Sequence, residues 1–316
     1  MLGGISLSFV EPHEYQERIR PANVQITPTT RGIFTATLAQ FNLHHLTLQQ
    51  GTQSLPTASR SELHKSRNAI LFHAGPVGPG IKVDSSDLAP DSLVLGAPAE
   101  EHFFHVPANT AWSTLTVPPE IYAMARATLL GRDAAAIPSS IFRPPQSALN
   151  RLRTLHQRIV GLVRAGKDHG LHPESAKAAE HALLVALVDC LAGAGDIMVA
   201  RVGSRNSTAV MRKLHELLET NDGLPLYMMD VCADLGVSRR TLHTACVEHL
   251  GLSPHRFFLL RRMQLARQAL LAADQRATTV TQIATSLGFW ELGRFAVNYR
   301  QLFGESPSAT LGRRRR

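Results

Sequence analysis

Two stretches of this 316-residue chain repeat one another, and no other feature constrains the fold as tightly. Val231, Cys232, Leu235 and Gly236 stand 52 residues before Ile283, Ala284, Leu287 and Gly288. After one inserted residue the offset is 53, and Leu242, Cys246, Leu250, Gly251, Ser253 and Pro254 match Phe295, Tyr299, Phe303, Gly304, Ser306 and Pro307. A match sustained over this length describes one supersecondary unit used twice. Each copy predicts a short apolar helix ending at Leu235 or Leu287, then a left-handed turn at Gly236 or Gly288, then a second helix. Ser238 is placed to cap the second helix of the first copy. Leu242, Cys246 and Leu250 recur every four residues, as do Phe295, Tyr299 and Phe303. One face of each second helix therefore packs inward and the other meets solvent. A short helix braced across a longer exposed one is helix-turn-helix geometry.

The outward faces supply the chemistry for reading DNA. The first copy offers Ser238, Arg239, Arg240, Thr241, His243 and Thr244; the second offers Trp290, Glu291, Gly293, Arg294, Val297 and Asn298. Arginine bonds guanine edges in pairs, asparagine does the same for adenine, and threonine or valine methyls meet thymine. Any one of these residues is also compatible with ordinary solvated surface. The duplicated unit, rather than any single side chain, points to double-stranded DNA.

These residues resemble a known family. Residues 207–312 are similar to the DNA-binding domain of the AraC/XylS transcription regulators, whose signature stands here as Gly288, Phe289, Tyr299, Phe303, Gly304, Ser306 and Pro307. S-R-R-T-L at 238–242, G-F-W-E-L-G-R-F at 288–295 and P-S-A-T-L at 307–311 further resemble the branch containing the ethanolamine-operon regulator. Thr310 and Leu311 depart from the Tyr-Arg of the wider family and agree with that branch. The resemblance implies two helix-turn-helix units joined by a long helix, here Pro254 to Ala273. It also implies a cupin-like β domain that senses a small-molecule effector, a homodimer, RNA polymerase as a partner, and activation rather than repression. The branch suggests an amino alcohol or similar small polar effector. A connector of about 18 residues is near 27 Å long at about 1.5 Å per residue. That length would set Arg240, His243 and Thr244 in one major groove and Gly293, Arg294 and Val297 in the next.

Charge agrees with the placement of the repeat. Residues 207–316 hold 15 Lys or Arg against 9 Asp or Glu, and the remainder 18 against 16, within a formal charge of +8. A basic C-terminal third suits a polyanion. Arg313 to Arg316 supply four of those charges, and the tail is open to two readings, phosphate contacts or an incidental extension. Cys190, Cys232 and Cys246 fall on apolar helical faces without paired spacing, as buried thiols in a reducing compartment do. The first residues lack the basic start and apolar core of a signal peptide, and the most apolar run, Ala182 to Ala192, is too short to span a bilayer. A cytoplasmic protein without a membrane segment is expected.

Upstream, the expected fold class is α+β: a β-rich domain to about residue 117, helical to about 200, then the all-α domain 207–316. Short alternating segments at Ile33–Leu38, Phe41–Leu48, Ala69–His73, Ile81–Val83, Ser92–Gly96 and Leu115–Val117 predict strands of a sandwich or barrel. Residues 1–20 are ambiguous, with Pro12 to Arg20 fitting one or two exposed helical turns. Helices are predicted over Pro118–Gly131, with Ile121, Met124 and Ala125 inward, and over Ala148–Arg164, with Leu152, Leu155, Ile159 and Leu162 inward and Arg151, Arg153 and Arg158 outward. A third runs from Pro173 to Ala192 and ends at Gly193–Gly195. The last two helices either cover the β domain or pair with a second subunit; the resemblance favours a dimer. A linker is placed near Val202–Ser207. In the connecting helix, Arg256, Arg261, Arg262 and Arg267 are expected outside, opposite Phe257, Phe258, Leu260, Met263, Leu265, Ala266 and Leu270.

No catalytic, metal or cofactor constellation emerges. His102 and His105 are three apart, so on one strand they point to opposite faces. There is no nucleophile elbow or Cys-His pairing. Gly75–Gly80 is glycine-rich, but its prolines remove the amides a phosphate needs, and a loop at the mouth of the sensor domain is the better expectation. A ligand-responsive regulator is thus expected, not an enzyme. The alternatives are an architectural DNA-binding protein with little sequence preference, and an enzymatic N-terminal domain with DNA binding attached.

Overall fold

The computed structural model describes residues 3–75, 78–130, 138–165, 172–192, 198–201, 206–221 and 226–312. The β domain begins with β1 (Gly3–Phe9), α1 (Pro12–Gln16), β2 (Ala22–Pro28), β3 (Ala36–Asn42), β4 (Thr47–Gln53) and β5 (Thr57–Leu63). It continues through β6 (Asn68–His73), β7 (Ile81–Val83), β8 (Ser86–Leu88), β9 (Leu93–Gly96), β10 (Glu101–Val106) and β11 (Trp112–Val117). Then come α2 (Pro119–Leu130), β12 (Ser140–Phe142), α3 (Gln146–Arg164), α4 (Pro173–Leu191) and β13 (Met198–Arg201).

Two antiparallel sheets face one another. One runs β1-β3-β4-β11-β6-β9-β12-β13 and the other β2-β5-β10-β7-β8. The two-residue period of each strand decides what each layer touches. On β11, Trp112, Thr114 and Thr116 face the space between the sheets, while Leu115 and Val117 join a core formed with α3 and α4. That core takes Phe41, Leu48, Ile70 and Phe72 from the strands and Leu152, Ile159, Val160, Leu183 and Leu187 from the helices. The apolar stripes of α3 and α4 therefore cover the first sheet, which settles one of the two expectations for these helices.

The second sheet is backed by the C-terminal domain. On β5, Thr57, Ser59, Ser61 and Leu63 face inward, and on β10 His102, Phe104 and Val106 do so. The other side of the same strands gives Ala58 and Phe103 to the hydrophobic core of the helical domain. The molecule is layered as helices, sheet, cavity, sheet and helical domain.

That helical domain comprises α5 (Asn206–Thr220), α6 (Met228–Leu235), α7 (Arg239–Leu250), α8 (Pro254–Ala272), α9 (Val280–Ser286), α10 (Leu292–Phe303) and α11 (Pro307–Leu311). It has two cores. Phe257 and Phe258 of α8 enter the first, with Met211, Leu214, Val231, Leu242 and Cys246. Leu260, Met263, Ala266 and Leu270 of the same helix enter the second, with Ala284, Phe289, Phe295 and Tyr299. The long helix is thus shared between the repeats, as expected.

Several sequence expectations require correction. The single strand expected over Phe41–Leu48 is instead the end of β3, a turn over residues 43–46 and the start of β4, the turn closed by Leu43 N–H donating to the Leu46 carbonyl. Pro12–Gln16 is a single short helix, and its Tyr15 is buried rather than exposed. Met124 is 61% exposed, and Tyr122 takes the inward place on α2. Arg153 is buried, its Nε donating to the His73 carbonyl at 3.0 Å and its Nη2 to that of Pro90. Arg267 is also buried, for reasons given below. Leu265 is only half-buried. The helix end at Gly193–Gly195, most of the linker at 202–205 and the Arg313–Arg316 tail lie outside the described residues.

Candidate nucleic-acid interface and its tie to the β domain

The first helix-turn-helix unit is α6, Gly236 and α7. Gly236 has φ +65°, a left-handed conformation that glycine adopts without the steric penalty of a Cβ. Ser238 then caps α7, its Oγ accepting from Thr241 N–H at 3.1 Å. In the second unit Gly288 turns at φ +75°. Here the stronger cap lies on the bracing helix: Thr279 and Gln282 form a reciprocal capping box at the start of α9. Glu291, at the start of α10, makes no side-chain cap.

Ser238, Arg239, Arg240, Thr241, His243 and Thr244 are all exposed at the N-terminal end of α7. Thr241 is partly engaged, its hydroxyl 2.9 Å from that of Ser238. On the second unit Trp290, Glu291, Gly293, Arg294 and Val297 are exposed and Asn298 is half-buried. Trp290 is 76% exposed and Val297 57%, an unusual display of apolar surface beside polar neighbours. Arg294 Nη1 lies 3.6 Å from Glu291 Oε2, one helical turn away. Each repeat thus holds its candidate residues on the solvent side, with Asn298 half-buried.

The opposite ends of both helices are held by the β domain. Near the end of α7, His249 packs edge-on against Phe103 with ring centroids 5.7 Å apart. Phe103 also lies 5.1 Å from His215 of α5, and His105 of β10 stands against Gly251. At the end of α10, Gly32 N–H donates to the Leu302 carbonyl at 3.2 Å.

Two charged clusters complete the junction. Arg267 of α8 holds Glu11 with both Nε, at 2.8 Å, and Nη2, at 2.7 Å, and reaches Glu305 with Nη1 at 2.9 Å. Glu305 in turn accepts from the Thr310 hydroxyl at 3.0 Å, which accepts from Tyr299 at 2.9 Å. Burial alone would lower the Arg267 guanidinium. The Glu11 hydrogen bonds and charge outweigh burial and hold it above the ordinary arginine value. Thr310 is fully buried and bridges Tyr299 to Glu305. In the second cluster Arg60 of β5 pairs with Glu101 and with Glu219 of α5.

Between the sheets lies a cavity of about 140 Å³. Its walls are mainly apolar, from Ile19, Ile26, Leu71, Val94, Phe104 and Trp112. Gly51, opposite Trp112 in the β4–β11 register, is required there, because a Cβ would run into Trp112 and the Tyr15 hydroxyl. His102 closes one side, its Nδ1 2.6 Å from Asp84 and its Nε2 3.1 Å from Ser139. As expected from their spacing, His102 and His105 fall on opposite sides of the strand. No described residue of the Gly75–Gly80 loop lines the cavity, against its expected place at the mouth. Apart from His102, weighed as a metal ligand, nothing in the sequence marks the cavity residues or Phe103 as functional. The alternation used to separate His102 from His105 applies equally to Phe103 and Phe104.

Residues 231–313 match a family model described as a helix-turn-helix domain. The probable thc operon regulatory protein of Rhodococcus erythropolis is 41% identical over 102 residues, 32% of this chain and 31% of that protein. XylDLEGF operon transcriptional activator 1 of Pseudomonas putida is 34% identical over 114 residues, 36% of this chain and 33% of that one. The transcriptional activator RhaS of Salmonella dublin is 30% identical over 168 residues, 53% of this chain and 56% of the relative. The chain spans about a third of the length of the first two and just over half of the third. Fold and relatives together define a double helix-turn-helix protein. Over its C-terminal third the chain is similar to the helix-turn-helix regions of these transcriptional regulators.

Proposed function

We propose that this protein is a sequence-specific transcriptional regulator, an activator, whose DNA binding responds to a small molecule held in the β domain. The observation that carries it is the pair of exposed recognition faces whose far ends are fastened to that domain. Arg240, His243 and Thr244 read one major groove, and Gly293, Arg294 and Val297 the next, with Ser238, Arg239, Thr241, Trp290, Glu291 and Asn298 at the margins. The relatives that are named as activators support the direction of control. RNA polymerase and a second copy of the chain belong to the same proposal. With the α3 and α4 stripes covering the sheet, a dimer would use other surfaces, such as the exposed Met124 and Leu129 of α2. The cytoplasm is the expected compartment, and no helix among the described residues is long and apolar enough to cross a membrane.

Strand β10 is the expected link between effector and DNA. A ligand that shifts Phe104 or His102 moves the same backbone that seats Phe103 against His249 of α7. The experiment is a DNA titration in two salt concentrations, comparing a selected site with a scrambled one. A specific regulator keeps a ratio of roughly 1,000-fold or more between them at physiological salt. A ratio near one with a steep salt slope identifies an architectural binder.

A further inference from the structure

The cavity chemistry narrows the ligand. Trp112, Thr114 and Thr116 of β11 face into it together with Gln53 of β4 and Tyr15 of α1. The Thr114 and Thr116 hydroxyls and Gln53 Oε1 are buried and have no hydrogen-bond partner within the protein. The Tyr15 hydroxyl, by contrast, lies beside the Trp112 indole, which meets it. Thr116 and Gln53 are each more than nine-tenths buried. Orphaned polar groups are costly in an apolar wall and are retained where something else meets them.

Size and charge set further limits. An apolar cavity of about 150 Å³ is large enough for a benzene ring. Among the described residues no Asp or Glu lines this one, so an ammonium group would enter without a counter-charge. The cations at hand are poorly placed for a buried carboxylate. Arg20 is exposed, and His102 is turned towards Asp84.

We propose that the cavity binds an uncharged, mainly apolar molecule about the size of one aromatic ring, carrying one hydroxyl- or carbonyl-type oxygen that bonds Thr114 and Thr116. The proposal rests on the β domain being the sensor, and it replaces the amino alcohol suggested by the branch resemblance.

The test is calorimetric titration of the full-length chain, without DNA, using p-cresol, benzoate and ethanolamine. Leaving DNA out keeps a failure of this proposal separate from a failure of the regulator proposal. The expected result is saturable binding of p-cresol, weaker binding of benzoate and none of ethanolamine. Thr116→Val should weaken p-cresol roughly threefold to tenfold. The same variant should raise the melting temperature of the unliganded protein, which a merely structural hydroxyl would not do. Leu71→Phe, which fills the cavity, should abolish binding while the circular dichroism spectrum stays unchanged. Ethanolamine binding without p-cresol, equal affinity for benzoate, no binding of any probe, or binding untouched by both variants would each overturn the proposal.

Discussion

Phe103 and Phe104 are neighbours on β10 yet belong to different compartments. Phe104 lines the cavity, whereas Phe103 is buried between His215 and His249 of the DNA-binding domain. One strand therefore forms both the wall of the cavity and the seat of the first recognition helix. Phe103→Leu keeps the seat apolar but removes the ring contacts, at a cost of about 1–2 kcal/mol. Its informative effect is on coupling. In fluorescence anisotropy titrations the ratio of DNA affinities with and without a cavity ligand should fall towards one, while the ligand's own affinity changes little. An unchanged ratio would place the transmission elsewhere.

The Arg267–Glu11 pair is buried between the domains, so removing Glu11 leaves the buried guanidinium with Glu305 and without its bidentate partner. Glu11→Ala should destabilise the protein by about 3–5 kcal/mol. The double variant Glu11→Ala/Arg267→Met should recover only part of that loss, because it removes the guanidinium left without Glu11 but also takes Arg267 away from Glu305. Urea unfolding of the two singles and the double measures the difference.

Arg240 and Arg294 are assigned to base edges. Replacing either by alanine should cost about 1–3 kcal/mol of discrimination at one operator position and leave non-specific affinity nearly intact. Equal loss on all sequences would make them phosphate contacts. Glu291 lies beside Arg294, and Glu291→Gln should strengthen binding to any DNA by removing a like charge facing the phosphates.

Two histidines are buried in their neutral form. Burial pushes His156 down to about 4, while burial with Arg60 and Arg261 nearby pushes His215 down to about 3. In the unfolded chain both titrate near about 6.5, so from roughly pH 6.5 downwards the unfolded state holds more protons. Stability must then fall as pH falls. Between pH 7 and 5 the loss should be about 2 kcal/mol for each histidine. Both ring nitrogens of His215 lack partners, so His215→Leu should be tolerated at pH 7 and should remove one of these two losses. Thermal melts at the two pH values give the comparison.

The repeat made the C-terminal domain legible, because Gly236, Ser238 and the four-residue apolar spacing are local signals that act within one or two turns. The β domain was less so. Strand β5, T-A-S-R-S-E-L, carries almost no apolar residue, since its inner side faces a cavity and its outer side a charged junction. Arg153 and Arg267 depart from their expected outward positions for a similar reason. Periodicity reports which helix face is apolar, and both guanidinia are buried because distant carbonyls or Glu11 receive them. The cavity has no local signature, as its described lining comes from nine separate elements whose approach no local pattern records.

The most direct test of the central claim is to incubate the purified protein with sheared genomic DNA of its host at physiological salt and sequence what it retains. A specific regulator should enrich a few sharp sites carrying paired half-sites, and adding a cavity ligand should change their occupancy. Broad enrichment without a motif, with or without ligand, would contradict the account and leave a DNA-binding protein with little preference for sequence.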